Sequence, residues 1–328
     1  MSRRPGRANP RAVLLAAMAI GLALILLVGL VTRGPKGLPR DVVLVPGSGV
    51  AGIADTLARA HVIRWRWAFV TMAELTGAAS RLKAGEYVFR GGEQLGAVID
   101  AIAHGRVVRH AVTIPEGFTS KAAATAIDAE PSLVGNAPVA NEGALLPDTY
   151  DVKLGETRAD VVRRMEVARG SLLAKLWTAR EPGLPYATPE QAVTLASIVE
   201  KETAKPSERP RIAAIFVHRL EKGMRLESDP TIIYGLTGGA PLGHGLRVSE
   251  LASTSPYNTY RVAGLPPTPI GNPGRASLEA ALHPALGNDL YFVADGTGGH
   301  VFADNYPDHL RNVAKWRAIE TARAAASK

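Results

Sequence analysis

A chain of 328 residues without one cysteine can form no disulfides and offers no thiolate chemistry, so its core alone must hold it together. Its formal charge of +8 suggests a polyanion partner until the charges are located. The first forty residues hold seven Lys and Arg and no acid, and the rest carries 31 basic against 30 acidic residues. That balance excludes a nucleic-acid footprint and assigns the basic excess to the N-terminus.

Ala12–Val31 is an unbroken run of twenty apolar or glycine residues, enough helix to cross the hydrocarbon core of a bilayer. Arg3, Arg4, Arg7 and Arg11 precede it, which orients the N-terminus to the cytoplasm and exports the remainder. Arg33, Lys36 and Arg40 on the far flank make the asymmetry modest. The run is too long for a signal-peptide core, and no A-x-A-like cleavage site follows it. The expected organisation is a cytoplasmic tail at 1–11, a transmembrane helix at 12–31 and an exported body anchored in the inner, or plasma, membrane.

The exported part opens with the extended stretch Val42–Val45, closed by Pro46-Gly47. Helical patterns follow near Val50–Ala60 and Arg64–Leu75, and Leu82–Phe89 alternates like a strand. These predict a small βααβ unit. A helix near Leu95–His104, a strand near His110–Ile114, a turn at Pro115-Glu116-Gly117 and a short helix over Thr119–Ile127 continue the chain. No catalytic constellation stands out here. Asn141–Tyr150 reads as a loop with two acids and an aromatic, and Thr157–Trp177 as a helix.

Thr188-Pro189-Glu190-Gln191 is a strong helix start, with Thr188 as N-cap and Gln191 closing a capping box. The helix runs through Ala196-Ser197-Ile198-Val199-Glu200-Lys201-Glu202-Thr203 and stops before Lys205-Pro206. A carboxylic acid held against apolar neighbours keeps its proton, and can then give it to a leaving group. Glycoside cleavage needs such an acid. Glu200 shares a face with Val193, Ala196 and Ser197, and Glu202 with Leu195, Ile198 and Val199. Periodicity does not decide between them, although the small residues beneath Glu200 would leave room for a ligand.

Ser207–Lys222 is amphipathic and ends at Gly223. Asp229-Pro230 reads as a cap opening a short helix through Tyr234, or more sharply as an active-site carboxylate. Ser255–Tyr260 and Leu265–Gly274 form a polar, aromatic, proline-rich region. Such a stiff region could turn the Asn258 and Asn272 amides toward sugar substituents and offer Tyr257 and Tyr260 for stacking. A helix over Ser277–His283, a hairpin around Asp295–Gly299 and a terminal helix from Tyr306 to Ala325 complete the chain. No metal-ligand spacing, P-loop, dinucleotide fingerprint or G-x-S-x-G elbow is present.

The motifs ASIVEKET, RLEKGMRLESDPTIIYGL, SPYNTYRVAGLPPTPIGNPG and HVFADNY, in this order after a single N-terminal span, resemble the endolytic murein transglycosylases, the YceG-like family. The resemblance implies an α+β fold, with a LysM-like subdomain and connecting elements at 41–110 and a YceG-like catalytic domain at 111–328. It implies a lyase that cuts the bond between N-acetylmuramic acid and N-acetylglucosamine within nascent glycan strands, forms 1,6-anhydro ends and needs no cofactor. By position it assigns catalysis to Glu200 and substrate binding to Asp229, Tyr257, Asn258 and Asn272. Glu227 departs from the glutamine expected there. The implied partners are peptidoglycan strands, with a peptidoglycan synthase or divisome or elongasome proteins as candidate protein partners. The competing expectation is a non-catalytic glycan-binding scaffold of the cell-wall machinery.

Overall fold

A computed structural model describes residues 10–326. The chain divides into two units. One extends to His110 and takes in Lys153–Gly155. The other comprises Ala111–Val152 and the chain from Glu156 onward.

The first unit begins with α1 (Pro10–Thr32), a helix of 23 residues. Its side chains Leu14, Met18, Ile20 and Leu27 are more than half exposed. Among the described residues no helix is long and apolar enough to cross a membrane; several side chains of α1 lie outside that set, as does the expected tail up to residue 9. β1 (Arg40–Leu44), α2 (Val50–Arg59), α3 (Arg66–Leu75), β2 (Gly85–Phe89) and α4 (Leu95–His104) follow. The two strands pair antiparallel, Arg40 opposite Phe89 and Leu44 opposite Gly85. Their alternation turns Val42, Leu44, Tyr87 and Phe89 inward against Ile53, Leu57, Phe69 and Ile102. The predicted βααβ order is thus present. β2 starts at Gly85 and not at Leu82, because the Lys83 amide donates to Ile102 O at the end of α4 and not to β1.

The second unit is mostly helical. β3 (His110–Thr113) starts at the boundary and α5 (Ser120–Asp128) follows it; β4 (Thr149–Val152) pairs with β3. β4 is a departure from the loop expected up to Tyr150. α6 (Arg158–Thr178), α7 (Pro189–Glu202), α8 (Arg209–Glu221), α9 (Asp229–Thr237), the four-residue α10 (Val248–Leu251) and α11 (Arg275–Leu282) lead to the hairpin β5 (Tyr291–Ala294) and β6 (His300–Ala303) and to α12 (Tyr306–Ala326). A smaller core joins Val112, Ile114, Ile127, Leu145 and Met165. The larger one surrounds α7, whose residues Ala192 to Val199 are all buried. A helix covered on every side is the centre of its unit, and α8 and α11 pack directly on it. Small residues permit this closeness: Ser197 Oγ accepts the Ile270 amide at 3.0 Å, tying the proline-rich loop to the helix.

Candidate active site

The site is built at the C-terminal end of α7. The helix is fixed at its other end by the expected capping box, Thr188 and Gln191 exchanging bonds with each other's backbone, with Pro189 in the first turn. Glu200 and Glu202 both fall in the last turn. Two residues apart on a helix is about 200° of rotation, so the two carboxyls serve opposite sides.

Glu200 takes two donors. One oxygen accepts from Arg209 Nη2 at 2.8 Å, the other from the Gly274 amide at 2.9 Å. The pair is enclosed, with the glutamate side chain 5 % and the arginine side chain 10 % exposed. Arg209 also reaches Glu116 at 3.2 Å. Glu200 therefore clasps the start of α8 and the loop entering α11, and each of its oxygens already takes one protein donor.

Glu202 has the opposite surroundings. It accepts one hydrogen bond, from Ser228 Oγ at 2.5 Å. Burial is the main cause that raises its carboxyl, with the charge of Asp229 adding to it; the Ser228 bond and Arg219 pull the other way. The net effect pushes it up to about 7. A carboxylic acid that titrates near neutrality is equipped both to give and to take a proton. Asp229 stands beside it at the first position of α9 and accepts from Tyr260 OH at 2.8 Å. Ser228, not Asp229, is the N-cap residue, so the acid expected as a cap is free for the site. Burial and the neighbouring Asp229 charge raise the Tyr260 hydroxyl, which stays a donor.

The remaining expected residues divide. Tyr257 lies against Tyr234 with ring centroids 5.0 Å apart, and its hydroxyl meets Thr268 Oγ1 at 2.8 Å. Tyr234 donates to Glu142 at 3.1 Å, and burial raises the Glu142 carboxyl. Asn258 and Asn272 are fully buried. The Asn258 amide donates to Leu251 O and Ser253 O and accepts from the Tyr260 amide, so it shapes the loop that carries Tyr260. Asn272 accepts from the Leu145 amide and donates to Phe118 O and Ser120 Oγ. Neither turns its amide outward as expected; both spend it on backbone that would otherwise be buried unpaired. Glu227 holds a left-handed backbone (φ 55°), and its carboxylate takes Arg219 at 3.2 Å. Among the described residues no cluster of His, Asp and Glu is placed to hold a metal ion.

This is a mixed α+β protein whose helical unit sets a partly buried carboxylic acid, raised toward neutrality, beside a second carboxylate. The sequence matches the YceG-like family over residues 42–315. It is 32 % identical over 310 residues to the endolytic murein transglycosylase of Bacillus subtilis, covering 84 % of this chain and 83 % of that one. It is 35 % identical over 214 residues to the endolytic murein transglycosylase of Streptococcus pneumoniae serotype 2, covering 61 % of this chain and 37 % of that protein. A crystal structure of a YceG-like protein from Listeria monocytogenes superimposes with a TM-score of 0.52 at 27 % identity, over 83 % of this chain and 98 % of that one. The chain belongs to the YceG-like family.

Proposed function

We propose that this chain is an endolytic murein transglycosylase, a lyase acting on peptidoglycan, and that Glu202 rather than Glu200 is its acid and base. The observation that carries the assignment is that Glu202, partly buried, takes a single donor among the described residues, against the two donors that Glu200 takes. Protonated Glu202 gives its proton to the oxygen that links C1 of N-acetylmuramic acid to the next N-acetylglucosamine, and the C1–O bond breaks. The muramic C6 hydroxyl attacks C1, its proton passes to the Glu202 carboxylate, and a 1,6-anhydro ring closes. The proton count balances and the acid is regenerated. A tethered hydroxyl at high effective concentration makes an activated water unnecessary. Asp229 keeps the proton on Glu202 by its charge, Tyr260 holds Asp229, and Tyr257 with Tyr234 offers an aromatic wall for a sugar ring.

Membrane anchoring belongs to the same reading. Twenty apolar or glycine residues in α1, arginines before them and exposed apolar side chains along the helix support a single span with the N-terminus in the cytoplasm and the catalytic unit outside. The βααβ unit is LysM-like in its order and would bind or position a glycan strand. A synthase or division protein nearby would supply nascent strands.

The test is mass spectrometry of products from uncrosslinked glycan strands. Internal cuts ending in 1,6-anhydro-muramic acid, lost in Glu202→Gln, support the proposal. Products one water heavier would make the protein a hydrolase, with Asp229 first in line to activate water. Bound strands left uncut would make it a scaffold.

A further inference from the structure

Three cations beyond the apolar run take no part in this chemistry, and on the exported side they run against the charge asymmetry that orients the span. Arg33, Lys36 and Arg64 line one groove of about 700 Å³, floored by Gly29, Leu30 and Thr32 in the last turn of α1. Arg64 reaches it from the connection between α2 and α3, far along the chain. The groove is held in shape by backbone bonds. Gly34 N donates to Glu93 O at 2.9 Å, Gly92 N to Pro35 O at 2.8 Å, and Arg33 bridges to Gln94. Val31 packs against the core of the same unit, so the end of the helix and the groove are one piece.

None of the three cations has a carboxylate partner among the described residues. The neighbouring Arg66 does, and is spent on Asp55. Arg64 opens the alternation Arg64-Trp65-Arg66-Trp67, in which Trp65 is 46 % and Trp67 60 % exposed. Exposed tryptophans are out of place on a wetted surface and at home at headgroup level, where an apolar ring with a polar N–H meets both phases. Unpaired cations thus gather in a groove at the end of α1, where the apolar run stops, and two exposed tryptophans lie one and three residues beyond Arg64 in the chain.

We propose that this groove binds the phosphate of an anionic membrane lipid in the leaflet into which α1 emerges, and so seats the N-terminal unit on the bilayer surface. The inference rests on the anchoring of α1 in the membrane. The guanidinium groups of Arg33 and Arg64 suit a phosphate's paired oxygens, with Lys36 as a third point charge. Leu30 and Gly29 would face the glycerol and the first methylenes.

The test uses the full chain in nanodiscs and in detergent. Nanodiscs are made from phosphatidylcholine alone or mixed with phosphatidylglycerol. Native mass spectrometry of the detergent-solubilised chain then counts retained lipid during titration with either one. The variant is Arg33→Gln, Lys36→Gln and Arg64→Gln together, three exposed positions whose exchange leaves the core intact; far-UV circular dichroism checks its fold. Each such cation near an anionic surface is worth about fivefold in affinity, so removing all three should weaken phosphatidylglycerol retention on the order of a hundredfold. Phosphatidylcholine retention should not change, and inorganic phosphate should not compete. Equal retention of the two lipids, or no change in the triple variant, would overturn the proposal while leaving anchoring intact. Displacement by inorganic phosphate would assign the groove to a soluble anion and overturn the lipid. Failure of the full chain to enter nanodiscs would overturn anchoring and this inference together.

Discussion

Replacing Glu202 by glutamine keeps the length of the side chain and its bond from Ser228, and removes only the proton that the proposed reaction uses. Loss of a positioned general acid costs about 10²- to 10⁴-fold in rate, or about 3–5 kcal/mol of transition-state stabilisation. The parent enzyme should show the titration directly. With Glu202 at about 7, about nine-tenths of the sites hold the proton at pH 6 and about one-tenth at pH 8, so kcat/KM falls about tenfold between them. Stability moves in a linked way. The folded carboxyl lies above its ordinary value of 4.5, so between 4.5 and about 7 the folded state holds more protons than the unfolded one. The contribution of Glu202 is therefore most favourable at low pH and is lost as pH rises through about 7, up to about 3 kcal/mol in all. Glutamine carries no such dependence. Glu202→Gln should be inactive in the anhydro-product assay, yet more stable than the parent in urea at pH 8, with the gap closing at pH 5. The reasoning fails if Glu202→Gln cuts within tenfold of the parent at pH 6 while a folded Glu200→Gln cuts nothing.

Asp229→Asn removes a negative charge that raises Glu202, so the alkaline limb of the kcat/KM profile should move to lower pH; an unmoved limb would show that Asp229 does not act on the acid. Glu200→Gln leaves Arg209 with only the half-exposed Glu116 as counter-charge, and urea unfolding should show a loss of about 3 kcal/mol, the low end for breaking a buried pair. Asn272→Ala strands the buried Leu145 amide and removes a bridge to Phe118 and Ser120, with an expected loss of about 1–3 kcal/mol for the orphaned donor alone; a change under half of that would mean the loop re-pairs. At Gly271, a methyl group would press on the backbone oxygen of Gly117 at 2.7 Å, so Gly271→Ala should cost about 1–3 kcal/mol as an overpacked contact.

The helices were legible wherever caps and periodicity agreed. Thr188, Pro189 and Gln191 mark the start of α7 because each satisfies a backbone donor or fixes an angle locally. β4 was not legible, because a four-residue strand is stabilised by its pairing with β3 and by little in its own sequence. Asn258 and Asn272 show the same limit from the other side. A buried asparagine that ties loops and an exposed one that binds sugar read alike in sequence, and only the location of their partners separates them. Periodicity did not decide between the two glutamates, because both share a face with apolar residues, Val193 and Ala196 for Glu200, and Leu195, Ile198 and Val199 for Glu202. What sequence could not supply was the arginine nine residues on that takes Glu200, or the Ser228 donor 26 residues beyond Glu202.

The two glutamates are coupled by the helix end they share, and this shapes how any loss of activity must be read. Glu200 fixes that end against α8 and the Gly274 loop; Glu202, two residues later, needs the end fixed if its carboxyl is to meet a glycosidic oxygen. A site held loosely by even about 1 Å forfeits much of its rate. Glu200→Gln should therefore lower activity without being a change of acid, and lost cutting alone cannot name the proton donor. The pH profile separates the two. A positioning residue lowers the rate at every pH and leaves the alkaline limb near 7, because the group that titrates is still present. Loss of the acid removes the limb itself. A slow Glu200→Gln enzyme with the limb in place and a slower Glu202→Gln enzyme with a flat profile would assign the roles, and a limb that vanishes with Glu200 would reverse them.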